Sequence, residues 1–309
     1  RHVRVVISTS SFGADNFVGR DALGRAGIPI VDNPHRARLD EDQIAALLGT
    51  DAVGLVAGLE PLTRRVLEGA TGLRVIARVG TGTDSVDLAA AADRGIRVLT
   101  TPDAPTQAVA ELTLAHVLGL LRHVAAADRD VRAGTWRGRM GGLLQGRLVG
   151  IVGLGRIGRR VAELVGAFGA RVVGHDPLGA PPGIESASLD EVCARADVLT
   201  LHVPYAPERR HMIDARRIGS MRPGALLVNC ARGGLVDEEA LRVALVEGRL
   251  AGAALDCFEV EPYAGPLAGL EQVQMTAHMG SYARETRDAM EREASGALVA
   301  ALREIGVVS

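Results

Sequence analysis

The chain contains no lysine: all 35 of its Lys-plus-Arg positions are arginine. That absence excludes or disfavours chemistry that needs a primary amine, including Schiff-base catalysis, a pyridoxal-phosphate enzyme built on its usual lysine, and a P-loop nucleotidase. Aromatics are scarce at 3%, with Trp136 the single tryptophan. Cysteine is also scarce. Cys193, Cys230 and Cys257 show neither metal-ligand nor C-x-x-C spacing, and their odd number suits a reducing cytoplasm; no metal site is expected. There is no basic excess, since 37 acidic residues leave a net charge of −2, which argues against a nucleic-acid partner. No apolar run is long and clean enough to cross a bilayer, and no secretory signal pattern is visible, so a membrane partner is not expected. The chain opens on Arg1 rather than Met, so a few residues are expected to precede it.

What is present begins with size. The 309 residues, 47% of them hydrophobic, suit one large domain or two ordinary ones with ample core. In mid-chain, Gly150 to Gly158 reads as a buried strand, a tight turn and a helix start, with Gly153, Gly155 and Gly158 fitting G-x-G-x-x-G. The first glycine makes the turn, the second admits a pyrophosphate, and the third lets helix and strand pack closely. Arg156 and Ile157 open the helix, whose unpaired N–H groups carry a partial positive charge suited to phosphate. Asp176, about 20 residues on, follows the strand-like run 171–174 and can accept hydrogen bonds from ribose hydroxyls. A carboxylate there repels a 2′-phosphate, so NAD is the expected cofactor.

The first hundred residues alternate strand and helix patterns: strands at 3–7, 28–31, 52–56, 74–77 and 97–99, helices at 19–27, 40–48, 63–70 and 88–92. Such alternation predicts a mostly parallel sheet. A Pro-rich break at 100–105 precedes one long apolar helix from Thr106 to about Ala127, then a polar, Arg/Gly-rich arm over 128–146 carrying Trp136. A second series follows, with strands at 148–152, 171–174, 198–201, 225–229, 252–255 and 273–275 and helices between, including 156–168 and 237–247; a final helix covers 283–305.

The motifs and their order resemble the D-isomer-specific 2-hydroxyacid dehydrogenases, in particular the phosphoglycerate dehydrogenase-like branch. The likeness spans nearly the whole chain: Ala77 to Asp87, Ala108 to Glu111, the glycine run, His202-Val203-Pro204, Val228 to Gly234, Leu255 to Pro262, and Thr276 to Gly280. It implies an α/β fold of two domains, with a Rossmann-type doubly wound parallel sheet inserted into a flavodoxin-like substrate domain. The substrate domain is expected over 1–103 plus 279–309 and the NAD-binding domain over 104–278, with the site in the cleft between them. It also implies a homodimer formed through the cofactor domain, with the 128–146 arm as the place to look for partner contact.

Reduction of a 2-keto acid needs a cation for the carboxylate, an acid for the carbonyl oxygen, and a group that orients that acid. Arg232 follows an apolar strand, so it stands at a carboxyl end, where α/β sheets place ligands, and can bind a carboxylate bidentately. The resemblance implies that Arg232 clamps the substrate, that His278 is the acid/base, and that Glu261 rather than its neighbour Glu259 orients the imidazole; Glu259 is expected to be a solvated acid. It further implies cofactor contacts from His202, Val203, Pro204, Gly280 and the backbone of Cys230 and Ala231. Asp256 is expected to accept from the nicotinamide carboxamide, and Arg78, Val79, Gly80 and Thr81 to bind the substrate. Cys230 has no neighbouring base and is expected to be inert.

Several positions depart from the pattern. Val56 to Glu60 lacks an arginine where one is often found, Pro105 replaces an Asn, Tyr205-Ala206 replaces Leu-Thr, and Ala277 replaces the proline before the histidine. Ser8 to Phe12 are expected to tune the substrate. No appended regulatory domain is expected after the last helix. The expected activity is therefore NAD-dependent interconversion of a small D-2-hydroxy acid and its 2-keto acid, with 3-phosphoglycerate dehydrogenase proper as a narrower alternative. A non-catalytic, NAD-sensing corepressor-like protein is a reading of another class, set apart by tight NADH binding without turnover.

Overall fold

A computed structural model describes residues 3–9 and 18–308. They fall into two compact units, Arg1–Pro105 with Ser281–Ser309, and Thr106–Gly280.

The first unit runs β1 (Arg4–Ile7), α1 (Val18–Arg25), β2 (Ile30–Asp32), α2 (Glu41–Leu48), β3 (Ala52–Ala57), α3 (Arg64–Gly69), β4 (Val75–Arg78), α4 (Leu88–Asp93) and β5 (Arg97–Leu99). All strand pairs are parallel, in the order β2-β1-β3-β4-β5. This is the flavodoxin-like doubly wound order. Every residue of β3 is buried, because helices cover both faces and leave no side for alternating polar residues. On one face Leu55 and Ile76 pack with Ile44, Leu48, Leu67 and Ala90 of α2–α4.

The second unit contains α5 (Thr106–Leu121), α6 (Val124–Arg132), β6 (Leu148–Val152), α7 (Arg156–Ala167), β7 (Arg171–His175), β8 (Glu185–Ser186), α8 (Leu189–Arg195) and β9 (Val198–Leu201). It continues through α9 (Ala215–Ser220), β10 (Ala225–Asn229), α10 (Glu238–Val246), β11 (Leu250–Leu255) and β12 (Val273–Met275). Its parallel sheet has the order β12-β11-β10-β9-β6-β7-β8, the Rossmann 3-2-1-4-5-6 order extended by one strand. The chain then returns to the first unit as α11 (Arg284–Glu304), whose Met290, Ala294, Leu298 and Leu302 cover the second face of that sheet with Leu23 of α1.

The expected single helix from Thr106 to about Ala127 is broken. α5 and α6 meet at 62°, with His123 left-handed at φ 55 and its Nε2 3.1 Å from the Met140 carbonyl oxygen. A left-handed residue cannot continue the right-handed ladder, so the chain turns there. No single helix among the described residues is long and apolar enough to cross a membrane.

Most other helix starts are written in the sequence. Asp40, Thr63, Asp87, Ser188, Asp214 and Asp237 each accept a backbone N–H at an N-terminus, an arrangement worth about 1 kcal/mol apiece.

Candidate active site

The second unit gathers its candidate residues along one edge of its sheet. Strand registers pair Val152 with His175 and Leu201, Asn229 with Leu201 and Leu255, and Leu255 with Met275. The residues just past these ends are Gly153, Asp176, His202, Cys230 to Arg232, Asp256 and Thr276 to His278. The strand order reverses between β6 and β9, so the glycine turn lies at the switch point where such sheets bind ligands.

At that turn Gly153 adopts φ 93, and a Cβ on Gly158 would fall on the Gly153 carbonyl oxygen, so α7 packs against the turn only with glycine there. α7 differs from its capped neighbours. Its N-cap, Gly155, offers no side-chain acceptor, Gly155 and Arg156 are exposed, and a Cβ at Gly155 would meet nothing within 4 Å. First-turn N–H groups that no side chain caps, the exposed Arg156 and open space form a cradle that fits a pyrophosphate. Asp176 accepts from Leu154 N at 2.8 Å and Leu178 N at 2.9 Å, one bond per carboxylate oxygen, so acceptor capacity remains for ribose hydroxyls.

His202 follows β9. Its Nε2 is 3.0 Å from Thr200 Oγ1, while Nδ1 is buried without a hydrogen-bond partner, an orphan that a bound cofactor group could satisfy. Burial pushes the His202 pKa down to about 3. The unfolded chain therefore binds this proton first. The His202 contribution is complete above the unfolded pKa of about 6.5 and is lost as pH falls towards the folded value. Burial lowers His116 in the same direction. Wild type is expected to lose about 2 kcal/mol more stability than His202→Gln between about pH 7 and about pH 5. Urea midpoints at the two pH values check this, and equal losses in both proteins would refute it.

The turn after β12 carries His278, held left-handed at φ 49. Such a conformation costs a non-glycine residue on the order of 1 kcal/mol. Asp256, only 1% exposed, fixes the turn from the end of β11. Its carbonyl accepts from His278 N at 2.7 Å. Its Oδ1 accepts from Met279 N at 2.8 Å and Thr276 Oγ1 at 2.6 Å, and its Oδ2 from Gly280 N at 2.8 Å. Oδ1 is thereby filled, and Oδ2 keeps one lone pair for a carboxamide N–H. Asp256 thus holds the histidine turn while retaining capacity for the expected cofactor contact. Behind it lies a buried histidine, His116 of α5, whose Nε2 is 3.1 Å from Thr276 Oγ1.

The imidazole of His278 faces Glu261, with Nδ1 at 2.9 Å from Oε2 and 3.1 Å from Oε1. A carboxylate only accepts, so Nδ1 carries the proton and Nε2 is left for other chemistry. Glu261 Oε1 is itself anchored by Phe258 N at 3.1 Å. The Glu261–Pro262 peptide is cis.

Arg232 follows β10. Asn229 braces its backbone, Nδ2 donating to Arg232 O at 2.8 Å and Oδ1 accepting from Ala231 N at 3.0 Å. A Cβ on Gly233 would collide with the backbone of Phe258 and Glu259, so glycine is what lets the arginine turn lie against the segment leading to Glu261. Cys230 is buried, its thiol pushed up to about 12 by desolvation, which agrees with an inert residue.

In the first unit the turn after β4 is more committed than expected. Val79 N donates to Ala57 O at 2.9 Å and Gly80 N to Thr101 Oγ1 at 2.9 Å. An anion at this turn would be left the amides of Thr81 and Gly82. Arg78 is 5% exposed, and its guanidinium donates to the Val79 carbonyl. Glu60 is buried and accepts from Ser8 Oγ and from Gly58 N, at 3.0 Å to Oε1. Of the expected substrate-tuning run, Ser10, Ser11 and Phe12 lie outside the described residues.

Glu259 is exposed, as expected of a solvated acid, and also has partners. It pairs with His211 Nε2 and, at 3.5 Å, with Arg210, and its N–H donates to Glu238 at 2.7 Å. His211 lies 48 residues away in sequence, so no local signal marks the pair. His116 and Thr276 carry no local signal as supports of the histidine turn, because Thr276 bonds to Asp256 from a different strand end and His116 reaches Thr276 from α5.

Comparisons with known proteins agree with this geometry. Residues 114–280 match the model for the D-isomer specific 2-hydroxyacid dehydrogenase, NAD binding domain. The chain is 40% identical over 269 residues to a D-3-phosphoglycerate dehydrogenase of Methanocaldococcus jannaschii, covering 84% of this chain and 50% of that protein. It is 34% identical to a hydroxypyruvate reductase of Thermotoga maritima, over 87% of this chain and 90% of the other. The crystal structure of the TT0316 protein from Thermus thermophilus superposes with a TM-score of 0.90 at 38% identity, covering 97% of each chain. The chain spans about half the length of the first curated relatives it matches. It belongs to the family of D-isomer-specific 2-hydroxyacid dehydrogenases.

Proposed function

We propose that the protein interconverts a small D-2-hydroxy acid and its 2-keto acid with NAD as hydride carrier. The observation that carries this reading is the His278–Glu261 pair, bonded at 2.9 Å with Nε2 left over, on the same sheet edge as Arg232. Arg232 binds the substrate carboxylate and polarises the adjacent carbonyl, and His278 Nε2 delivers a proton to the carbonyl oxygen. Glu261 holds the ring and stabilises its charged form. Bound NADH supplies the hydride. A panel of 2-keto acids with and without a phosphate group, followed by NADH consumption, tests the reading. Turnover on none of them, with NADH bound tightly, would overturn it. Turnover confined to the phosphorylated acid would select 3-phosphoglycerate dehydrogenase proper. The lack of an arginine over Val56 to Glu60, where the phosphoglycerate dehydrogenase-like pattern often has one, supports the broader assignment.

Asp176 supports NAD over NADP. Asp176→Ala is expected to lower kcat/KM for NADH by about 10- to 100-fold, the size of lost hydrogen bonds to a charged acceptor, and to narrow the discrimination against NADPH. Steady-state kinetics with both cofactors check this, and an unchanged ratio would refute it. The reading extends to a homodimer in the cytoplasm. Trp136 and Met140, 90% and 93% exposed on the 133–147 segment, support a second copy as partner, and three buried free cysteines fit a reducing compartment.

A further inference from the structure

We infer that Cys257, Glu261 and His278 form a binding site for a thiophilic divalent cation, Zn²⁺ foremost, and that its occupation switches off the acid/base histidine. The binding stands on the structure alone; the switching rests on the function proposed above. The imidazole nitrogen, the thiol sulfur and a carboxylate oxygen all lie within 4.8 Å of one another. Tetrahedral zinc with ligand bonds of about 2.0–2.3 Å sets its donors about 3.3–3.8 Å apart, so the widest separation among the three groups needs to contract by about 1 Å. His278 Nδ1 and Glu261 Oε2, at 2.9 Å, need to spread by about 0.4 Å to admit the ion.

The donor set is selective. A thiol with an imidazole and a carboxylate suits zinc, cobalt or cadmium, whereas magnesium and calcium want oxygen alone. A thiolate and a carboxylate together neutralise the cation. Burial holds the Cys257 thiol well above its usual range, with Asp256 adding to this and Arg232 opposing it, and the thiol donates to Ala231 O at 3.4 Å, so the cation must displace a firmly held proton. Cys257 is 1% exposed, but the His278 and Glu261 side chains, at 24% and 21%, provide a way in from solvent. The sequence spacing gives no hint of the triad, because Cys257 and Glu261 follow β11 and His278 follows β12.

Binding takes the place of the Nδ1 proton that His278 shares with Glu261. From the protonated ring that proton and the thiol proton leave to solvent; from the neutral ring the proton moves from Nδ1 to Nε2 and the thiol proton alone leaves. The proton remaining on Nε2 then belongs to a neutral, metal-bound imidazole, a far weaker acid than imidazolium. Delivery to a carbonyl oxygen stops.

The test uses metal-free protein titrated with Co²⁺ and read by the thiolate-to-cobalt charge-transfer absorption, with Zn²⁺ inhibition of turnover in parallel. Wild type is expected to show the band and to lose turnover at least about tenfold under Zn²⁺, reversibly with chelator and not with Mg²⁺. Cys257→Val, and Cys257→Ala should valine disturb the fold, are expected to keep basal turnover, lose the band, and need at least about tenfold more Zn²⁺ for half-inhibition. His278→Gln is expected to weaken the band. A band in wild type with no turnover on any keto acid would sink the proposed function and leave the site. Full turnover with no band at saturating Co²⁺, or a band and inhibition unchanged in both Cys257 variants, would sink the site and leave the function.

Discussion

Replacing Arg232 by alanine is expected to cut kcat/KM for a 2-keto acid by about 10³-fold or more while leaving the dissociation constant for NADH within about threefold. Two effects add. A guanidinium fork on a carboxylate makes two charge-assisted bonds, each worth about 1.5–3 kcal/mol when unscreened. The same cation also stabilises the negative charge that grows on the carbonyl oxygen as hydride arrives, which removal of a single donor shows to be worth about 10²–10³ in kcat. The fold should survive, because Asn229 Nδ2 to Arg232 O and Ala231 N to Asn229 Oδ1 brace this turn through the backbone, and the side chain adds one bond, Nη1 to Ala231 O at 2.7 Å. Arg232→Lys keeps the charge but loses the planar fork, so it is expected to fall between wild type and alanine. Steady-state kinetics with NADH titrations separate the two effects. Near-normal turnover in Arg232→Ala would remove this residue from the mechanism.

The location of Arg232 was legible because it follows a run of buried apolar residues, Ala225–Asn229, and a parallel strand covered on both faces has no polar side to interrupt the run. The same holds for His202 and Asp256, which follow the largely buried runs Val198–Leu201 and Leu250–Leu255, and the sheet order brings these ends to one edge. What could not be read depends on pairing across long separations or on backbone without a marker residue. The break at His123 is one case, since a left-handed histidine leaves neither glycine nor proline to announce it. The burial of Asp256 is another. Its sequence context suggests one ligand contact, yet most of its capacity goes to Thr276, Met279 and Gly280, some twenty residues on. Glu259 and Glu261 are neighbours of like type, and only the distant partners, His211 for one and His278 for the other, tell their roles apart.

That separation of roles leads to the second large effect. His278→Gln is expected to lower kcat by about 10³-fold, within the range for loss of a positioned general acid. Glutamine retains a polar group near the substrate but cannot become a cation and release a proton. Glu261→Gln is expected to cost about 10²-fold: the amide still reaches His278 Nδ1 but no longer offers a negative charge to the imidazolium. Because Glu261 acts through the ring, the two losses should not add. The double variant is expected to be no worse than His278→Gln alone, within about threefold, as groups that work as one unit behave. Glu259→Gln, two residues from Glu261 but paired with His211, is the control and should leave kcat within about threefold. Added imidazole should recover part of the turnover of His278→Ala, since the Glu261 carboxylate stays anchored by Phe258 N at 3.1 Å beside the space vacated. Additive losses in the double variant would mean that Glu261 acts on the substrate directly. A large loss from Glu259→Gln would mean that the wrong carboxylate has been assigned to the histidine.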